Sequence, residues 1–168
     1  MITLRFDRVP SPIGEVLAVA DETHLVSLDF EGYETRMQAL LAKRYPAYRL
    51  VDTPDPLGIR GRLGAYFGGD FASLDAIPVE TGGTEFQREV WQGLRRIPCG
   101  TVTSYGQLAA ALGRPAASRA VGYANSLNPI AIVLPCHRVV GGNRALTGYA
   151  GGLERKSWLL AHERAVLE

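Results

Sequence analysis

The stretch from Asn128 to Gly142 reads NPIAIVLPCHRVVGG. Ile130, Ala131, Ile132, Val133 and Leu134 follow one another with no polar face among them, so the fold must bury this segment rather than lay it on a surface. An apolar run normally ends in turn residues. This one ends in Pro135 and then a thiol, an imidazole and a guanidinium: Cys136, His137 and Arg138. The expectation is a buried strand whose last residue, held by Pro135, carries sulfur at the margin of a core.

The thiolate is the reactive form of cysteine, with an ordinary pKa of ~8.5, and a nearby base or cation favours it. His137 can supply the base. Neighbours in an extended chain point to opposite sides, so a Cys136–His137 contact needs a turn, or one water between them. Arg138 can add positive potential or anchor the loop through a salt bridge. Three readings stay open at this stage. A zinc site needs three or four ligands at suitable spacing, and two cysteines with His24, His137 and His162 form no recognisable set. A cysteine hydrolase would add an orienting group and an oxyanion hole. An inert buried cysteine beside a capping histidine is the usual outcome for an isolated pair.

At 168 residues the chain can build one domain or two small ones. No stretch approaches the roughly 18 apolar residues of a membrane span. The start, MITLRFDRVPSP, alternates apolar and polar residues as a strand does and lacks the apolar block of a signal peptide. A cytoplasmic location is therefore expected, with Cys99 and Cys136 as thiols rather than a disulfide. The net charge of +1 hides a segregation. Residues 1–84 hold 8 basic against 12 acidic residues, or −4, and residues 85–168 hold 10 against 5, or +5. All basic residues except Lys43 and Lys156 are arginine, whose planar fork suits phosphate. The second half thus points to an anionic partner.

Residues 1–80 read as an α/β unit. Extended runs at 2–8, 15–20 and 25–30, parted by PSPIG and DETH, suggest a three-stranded antiparallel meander. Met37, Leu40, Leu41 and Arg44 sit at helical spacing, 57–67 carries a weaker helical stripe, and 76–80 is strand-like. TGG at 81–83 makes a boundary. Residues 84–168 read as mostly helical. Thr84 with Gln87, and Ser104 with Gln107, are capping-box pairs that open helices. Pro115 suits the first turn of a further helix, AASRAVGYANS. Two short helices joined by Gly-Arg-Pro make a helix-turn-helix candidate, although the same composition suits two packed helices of an all-α domain. The second helix offers Ala117, Ser118, Ala120 and Gly122 with one long cation, Arg119. Small side chains permit close backbone approach and read few base edges. That fits a minor groove with one residue able to wedge among bases.

Taken together, IPCGTVTSYGQLAAALGRPAASRAVGYANSLNPIAIVLPCHRVVGG and LTGYAGGLERKSWLLAHE closely resemble the O6-alkylguanine-DNA alkyltransferases, also called methylated-DNA–protein-cysteine methyltransferases. The resemblance is dense from about Thr84 to Glu163, and SPIGEVLAVADETHLVSLDF extends it more loosely into the first half. It implies an N-terminal α/β domain with a sheet like that of ribonuclease H, and a helical C-terminal domain with a winged helix-turn-helix. It implies binding to duplex DNA through the minor groove, extrusion of O6-alkylguanine, with O4-alkylthymine a further candidate, and irreversible transfer of the alkyl group to the protein's own cysteine.

On that resemblance Cys136 is the acceptor, His137 the water-linked base and Glu163 the group that orients the imidazole. Tyr105 would donate to a ring nitrogen of the base, Asn128 would brace the cysteine loop, and Arg119 would fill the gap in the stack. Tyr149 and the backbone N–H of Ala150 would lie over the base, and the carbonyls of Cys136 and Val139 would accept from its exocyclic amine. Tyr123 falls on the DNA-facing helix where relatives often carry a small residue, and Ala150 stands where some carry serine. The Cys and His set that binds a structural zinc in some relatives is missing, so no metal or cofactor is expected. A monomer in solution is expected, with cooperative assembly on DNA open. The rival reading is a lesion sensor without chemistry, and relatives of that kind have lost the cysteine.

Overall fold

Leu4 and Phe6 bury their side chains along β1 (Ile2–Val9), as the N-terminal alternation requires, and Val9 is buried at the strand's end. β2 (Val16–Ala20) and β3 (Leu25–Phe30) are buried at every position and complete the antiparallel meander, with Val9 opposite Val16 and Val16 opposite Phe30. The computed structural model describes residues 1–143 and 145–164, and falls into two units, Met1–Gly82 and Gly83–Glu168. Among the described residues no helix is long and apolar enough to cross a membrane.

In the first unit the sheet has four strands, in the order β3-β2-β1-β4, rather than the expected three. β4 (Tyr48–Asp52) runs parallel to β1, Ile2 opposite Tyr48 and Phe6 opposite Asp52. A parallel neighbour needs a crossover, and α1 (Glu34–Arg44) provides it. Met37 and Leu41 of α1 close over Leu4, Phe6, Leu17, Val19 and Val26. β4 escaped the sequence reading because Arg49 and Asp52 interrupt its pattern and no residue of it is fully buried. The strand-like 76–80 contributes a single bridge, Leu25 to Val79, since Pro78 has no N–H to extend a ladder. α2 (Ile59–Phe67) starts two residues later than its stripe suggested, after a 3-10 turn at Pro56–Gly58.

The second unit opens with α3 (Glu85–Arg95), and the Thr84–Gln87 capping box is formed in both directions, 2.9 and 3.1 Å. β5 (Thr103–Ser104) leads directly into α4 (Tyr105–Ala111) through the second capping box. α5 (Ser118–Ser126) begins three residues after Pro115, which lies in the connecting turn where Ala117 N–H reaches the Arg114 carbonyl at 2.9 Å. The Trp91 indole N–H donates to the Ala124 carbonyl at 2.9 Å and ties α3 to α5. β6 (Val139–Val140) pairs parallel with β5, Thr103 opposite Val139, and α6 (Leu153–His162) closes the described chain.

Candidate active site

The aliphatic run is buried as expected, but it is not a strand. Every residue from Asn128 to Val140 is buried. The backbone turns within the run: Ile132 has φ +69°, Val133 N–H reaches the Ala131 carbonyl at 2.8 Å, and Leu134 N–H reaches that of Ile130 at 3.1 Å. A β-branched residue in the left-handed region is strained, and it persists only where its surroundings hold it. Complete burial overrides the β-propensity of the run. Asn128 is the internal brace. Its amide N–H donates to the Leu134 carbonyl at 2.8 Å, and its oxygen accepts from Ile130 N–H at 3.0 Å.

Cys136–Arg138 then form one 3-10 turn in place of an extended alternation, and His137 and Arg138 converge on the Glu163 carboxylate. Cys136 is 5 % exposed and is a thiol, whereas Cys99 is an exposed thiol in the IPCG turn. His137 is wholly buried, with Nε2 2.8 Å from Glu163 Oε2. Arg138 donates from Nε to Glu163 Oε1 at 2.8 Å, from Nη2 to Oε2 at 3.0 Å, and from Nη1 to the Ile97 carbonyl at 2.7 Å. Arg138 is thus an anchor, and Glu163 serves two partners at once.

Burial raises the carboxyl's affinity for a proton, but hydrogen bonds from His137 and Arg138 and their charges outweigh it and hold Glu163 far below the usual range. Ionised Glu163 can only accept, so Nε2 of His137 must carry the proton and Nδ1 the lone pair. Nδ1 is buried and has no hydrogen-bond partner among the described residues. Burial pushes the imidazole's pKa below its ordinary 6.5; Glu163 opposes that shift, and the charges of Arg138 and Lys156 reinforce it. The ring is neutral at pH 7, a buried base with its lone pair at Nδ1.

Lys156 joins this centre and was not anticipated. It is 0 % exposed, and its Nζ donates to the carbonyls of Val139 at 2.6 Å and Thr147 at 3.0 Å. Burial lowers its pKa from 10.5 to about 8, against the attraction of Cys136, which favours the charged form. A signal existed: Lys156 lies on the apolar stripe of α6 with Leu159 and Leu160 in a chain whose one other lysine is Lys43. Thr147 was also missed. Its hydroxyl sits 3.0 Å from that of Tyr105, which β5 and its pairing with β6 bring to the Cys136 side.

Gly122 packs against the Tyr105 ring, so α5 lies beside the same centre. On α5 Arg119, Ala120 and Tyr123 are exposed, Tyr123 at 67 %, while Ser118, Gly122 and the preceding Ala117 are half-buried. Tyr149 and Ala150 are half-buried on the segment before α6, and the Tyr149 carbonyl accepts from Gly152 N–H at 2.9 Å. Among the described residues no group of three or more His, Cys, Asp or Glu side chains is placed to hold a metal.

Two family descriptions match nearly the whole chain: the ribonuclease-like domain of 6-O-methylguanine DNA methyltransferase over residues 4–81, and its DNA binding domain over residues 85–165. A methylated-DNA--protein-cysteine methyltransferase of Salmonella typhimurium is 51 % identical over 99 % of both chains. Another, from Mycolicibacterium paratuberculosis, is 43 % identical over 96 % of this chain and 93 % of its own. The crystal structure of Mycobacterium tuberculosis OGT in complex with DNA superposes with a TM-score of 0.79 at 35 % identity, covering 97 % of this chain and 93 % of that one. The chain belongs to the 6-O-methylguanine DNA methyltransferase family.

Proposed function

We propose that this protein repairs DNA by direct reversal, moving the alkyl group of O6-alkylguanine in duplex DNA onto its own Cys136 in a single irreversible turnover. The observation that carries the assignment is the hydrogen-bonded series in which Arg138 and His137 both bind Glu163 while His137 keeps a buried lone pair at Nδ1. Through one bridging water, Nδ1 takes the Cys136 proton. The thiolate attacks the alkyl carbon, the C–O6 bond breaks, and its electron pair passes to the purine. The proton taken from the thiol returns to the base, so the stoichiometry closes without a co-reactant.

Charge develops on the leaving purine, and donors aimed there lower the barrier. Tyr105 is assigned the ring nitrogen: with the Thr147 hydroxyl donating to it, its own O–H is available. The backbone N–H of Ala150 is assigned O6. Lys156 favours the thiolate by charge and holds the Val139 carbonyl in place. Extrusion of the base permits in-line attack, because the O6 substituent is otherwise inside the duplex. Residues 84–168 carry this chemistry, with α5 entering the minor groove and Arg119 filling the vacated stack. The product thioether offers water no electrophilic carbonyl, so the thiol is not regenerated.

Intact mass after incubation with an O6-methylguanine duplex tests the assignment. One added methylene mapped to Cys136, lost in Cys136→Ala while DNA binding persists, is the expected result. Bound DNA with unchanged mass would make the protein a lesion sensor instead.

A further inference from the structure

Asn125 occupies the penultimate position of α5 and is 7 % exposed, yet its side-chain oxygen has no hydrogen-bond partner among the described residues. Three residues earlier on the same face, Gly122 lies against the Tyr105 ring. On its other side the Asn125 backbone carbonyl accepts from Asn128 N–H at 3.2 Å, and Asn128 braces the loop that delivers Cys136. Asn125 therefore stands on the stretch of chain that links the Tyr105 side of the centre to the cysteine turn. A buried acceptor left without a donor is unfavourable, and native structures retain one where a ligand completes it.

The chemistry of the base narrows what that ligand atom can be. Alkylation at O6 removes the proton from the adjacent ring nitrogen, so an extruded O6-alkylguanine offers hydrogen-bond donors only from its exocyclic amine. The backbone carbonyls assigned to that amine each accept one hydrogen bond already, Cys136 from Val139 N–H and Val139 from Lys156, which leaves each a single lone pair for the base. Asn125 adds a buried side-chain acceptor to which no described residue donates.

We infer that Asn125 is a specificity-determining residue whose side-chain carbonyl accepts a hydrogen bond from the exocyclic amine of the extruded guanine. The inference rests on the proposed alkyl transfer and assigns a selectivity to it. O4-alkylthymine has no N–H on its ring and gains nothing from this contact.

Single-turnover rates on duplexes carrying O6-methylguanine or O6-methylhypoxanthine, which lacks the amine, test it. The wild-type protein should prefer guanine, and Asn125→Leu, close in shape but without the acceptor, should cut that preference about tenfold. A preference unchanged in Asn125→Leu, whether or not both rates fall, overturns the inference. So does a wild-type protein that reacts equally with both lesions, a result that needs no variant to fold. Failure of the wild-type protein to take up methyl from either duplex would strike the transfer itself, and is read separately from the ratio.

Discussion

Oε2 of Glu163 stands 2.8 Å from Nε2 of His137, and the same carboxylate holds the Arg138 guanidinium through both its oxygens. One buried anion therefore fixes the tautomer of the base and anchors the turn that carries Cys136. Positioning and chemistry share a single carboxylate.

Glu163→Gln should consequently lose both stability and rate. Removing one partner of a buried ion pair typically costs about 3 kcal/mol or more. The pH dependence carries its own sign. Glu163 has a folded pKa below its ordinary 4.5, so its stabilisation is in force above pH 4.5 and is lost as the pH falls below that. His137 has a folded pKa below 6.5, so the unfolded chain binds more protons there and stability declines as the pH drops from 6.5. Urea unfolding between pH 3 and 8 should show both segments in the wild type, and a shallower acid segment in Glu163→Gln, where Asp7 and Asp21 still contribute. Equal slopes below pH 4.5 would contradict the arrangement.

Lys156→Gln should slow transfer about tenfold, because the thiolate loses its buried counter-charge while the carbonyls of Val139 and Thr147 keep a donor within reach. Burial brings the Lys156 pKa to about 8, so the wild-type rate should fall away above that pH as the ammonium is lost. The decline should be missing in Lys156→Gln. Quenched-flow rates from pH 6 to 10 would reveal it. A purely structural lysine would lower the rate without changing the shape of the profile.

Much of this centre was legible in the sequence because its parts are chemical. Cys136 and His137 stand out by residue type at the end of an apolar run, Glu163 was reachable only through the family resemblance, and the capping boxes at Thr84 and Ser104 announce helix starts through local bonds. What was not legible depended on tertiary burial. The Ile130–Leu134 run has strand propensity, yet it turns at Ile132 because every residue is enclosed and Asn128 ties its ends. β4 depends on pairing with a strand more than forty residues earlier, from Ile2 opposite Tyr48 onward, which no local pattern encodes. Lys156 reads as a surface cation until α6 is seen to bury that face.

Arg119→Ala should separate DNA work from chemistry. The side chain is exposed on α5 and lies outside the Cys136 centre, so its loss should leave reaction with free O6-benzylguanine near the wild-type rate. Repair of a duplex lesion should fall at least tenfold, because nothing then occupies the space vacated by the extruded base. Equal losses on both substrates would remove the intercalating role.

Asn128→Ala isolates the contribution of the loop to catalysis. The substitution leaves the Leu134 carbonyl and the Ile130 N–H short of a partner inside the core, at a cost of about 2 kcal/mol. The same Leu134 carbonyl also accepts from Cys136 N–H at 2.7 Å, so a shift there is passed straight to the thiol. A displacement of an ångström is enough to spoil an in-line approach, and rates fall steeply with such misplacement. Transfer should therefore drop by about a hundredfold at a temperature where circular dichroism still shows a folded protein. If the rate followed only the folded fraction, the turn holding Cys136 would owe its geometry to some other contact.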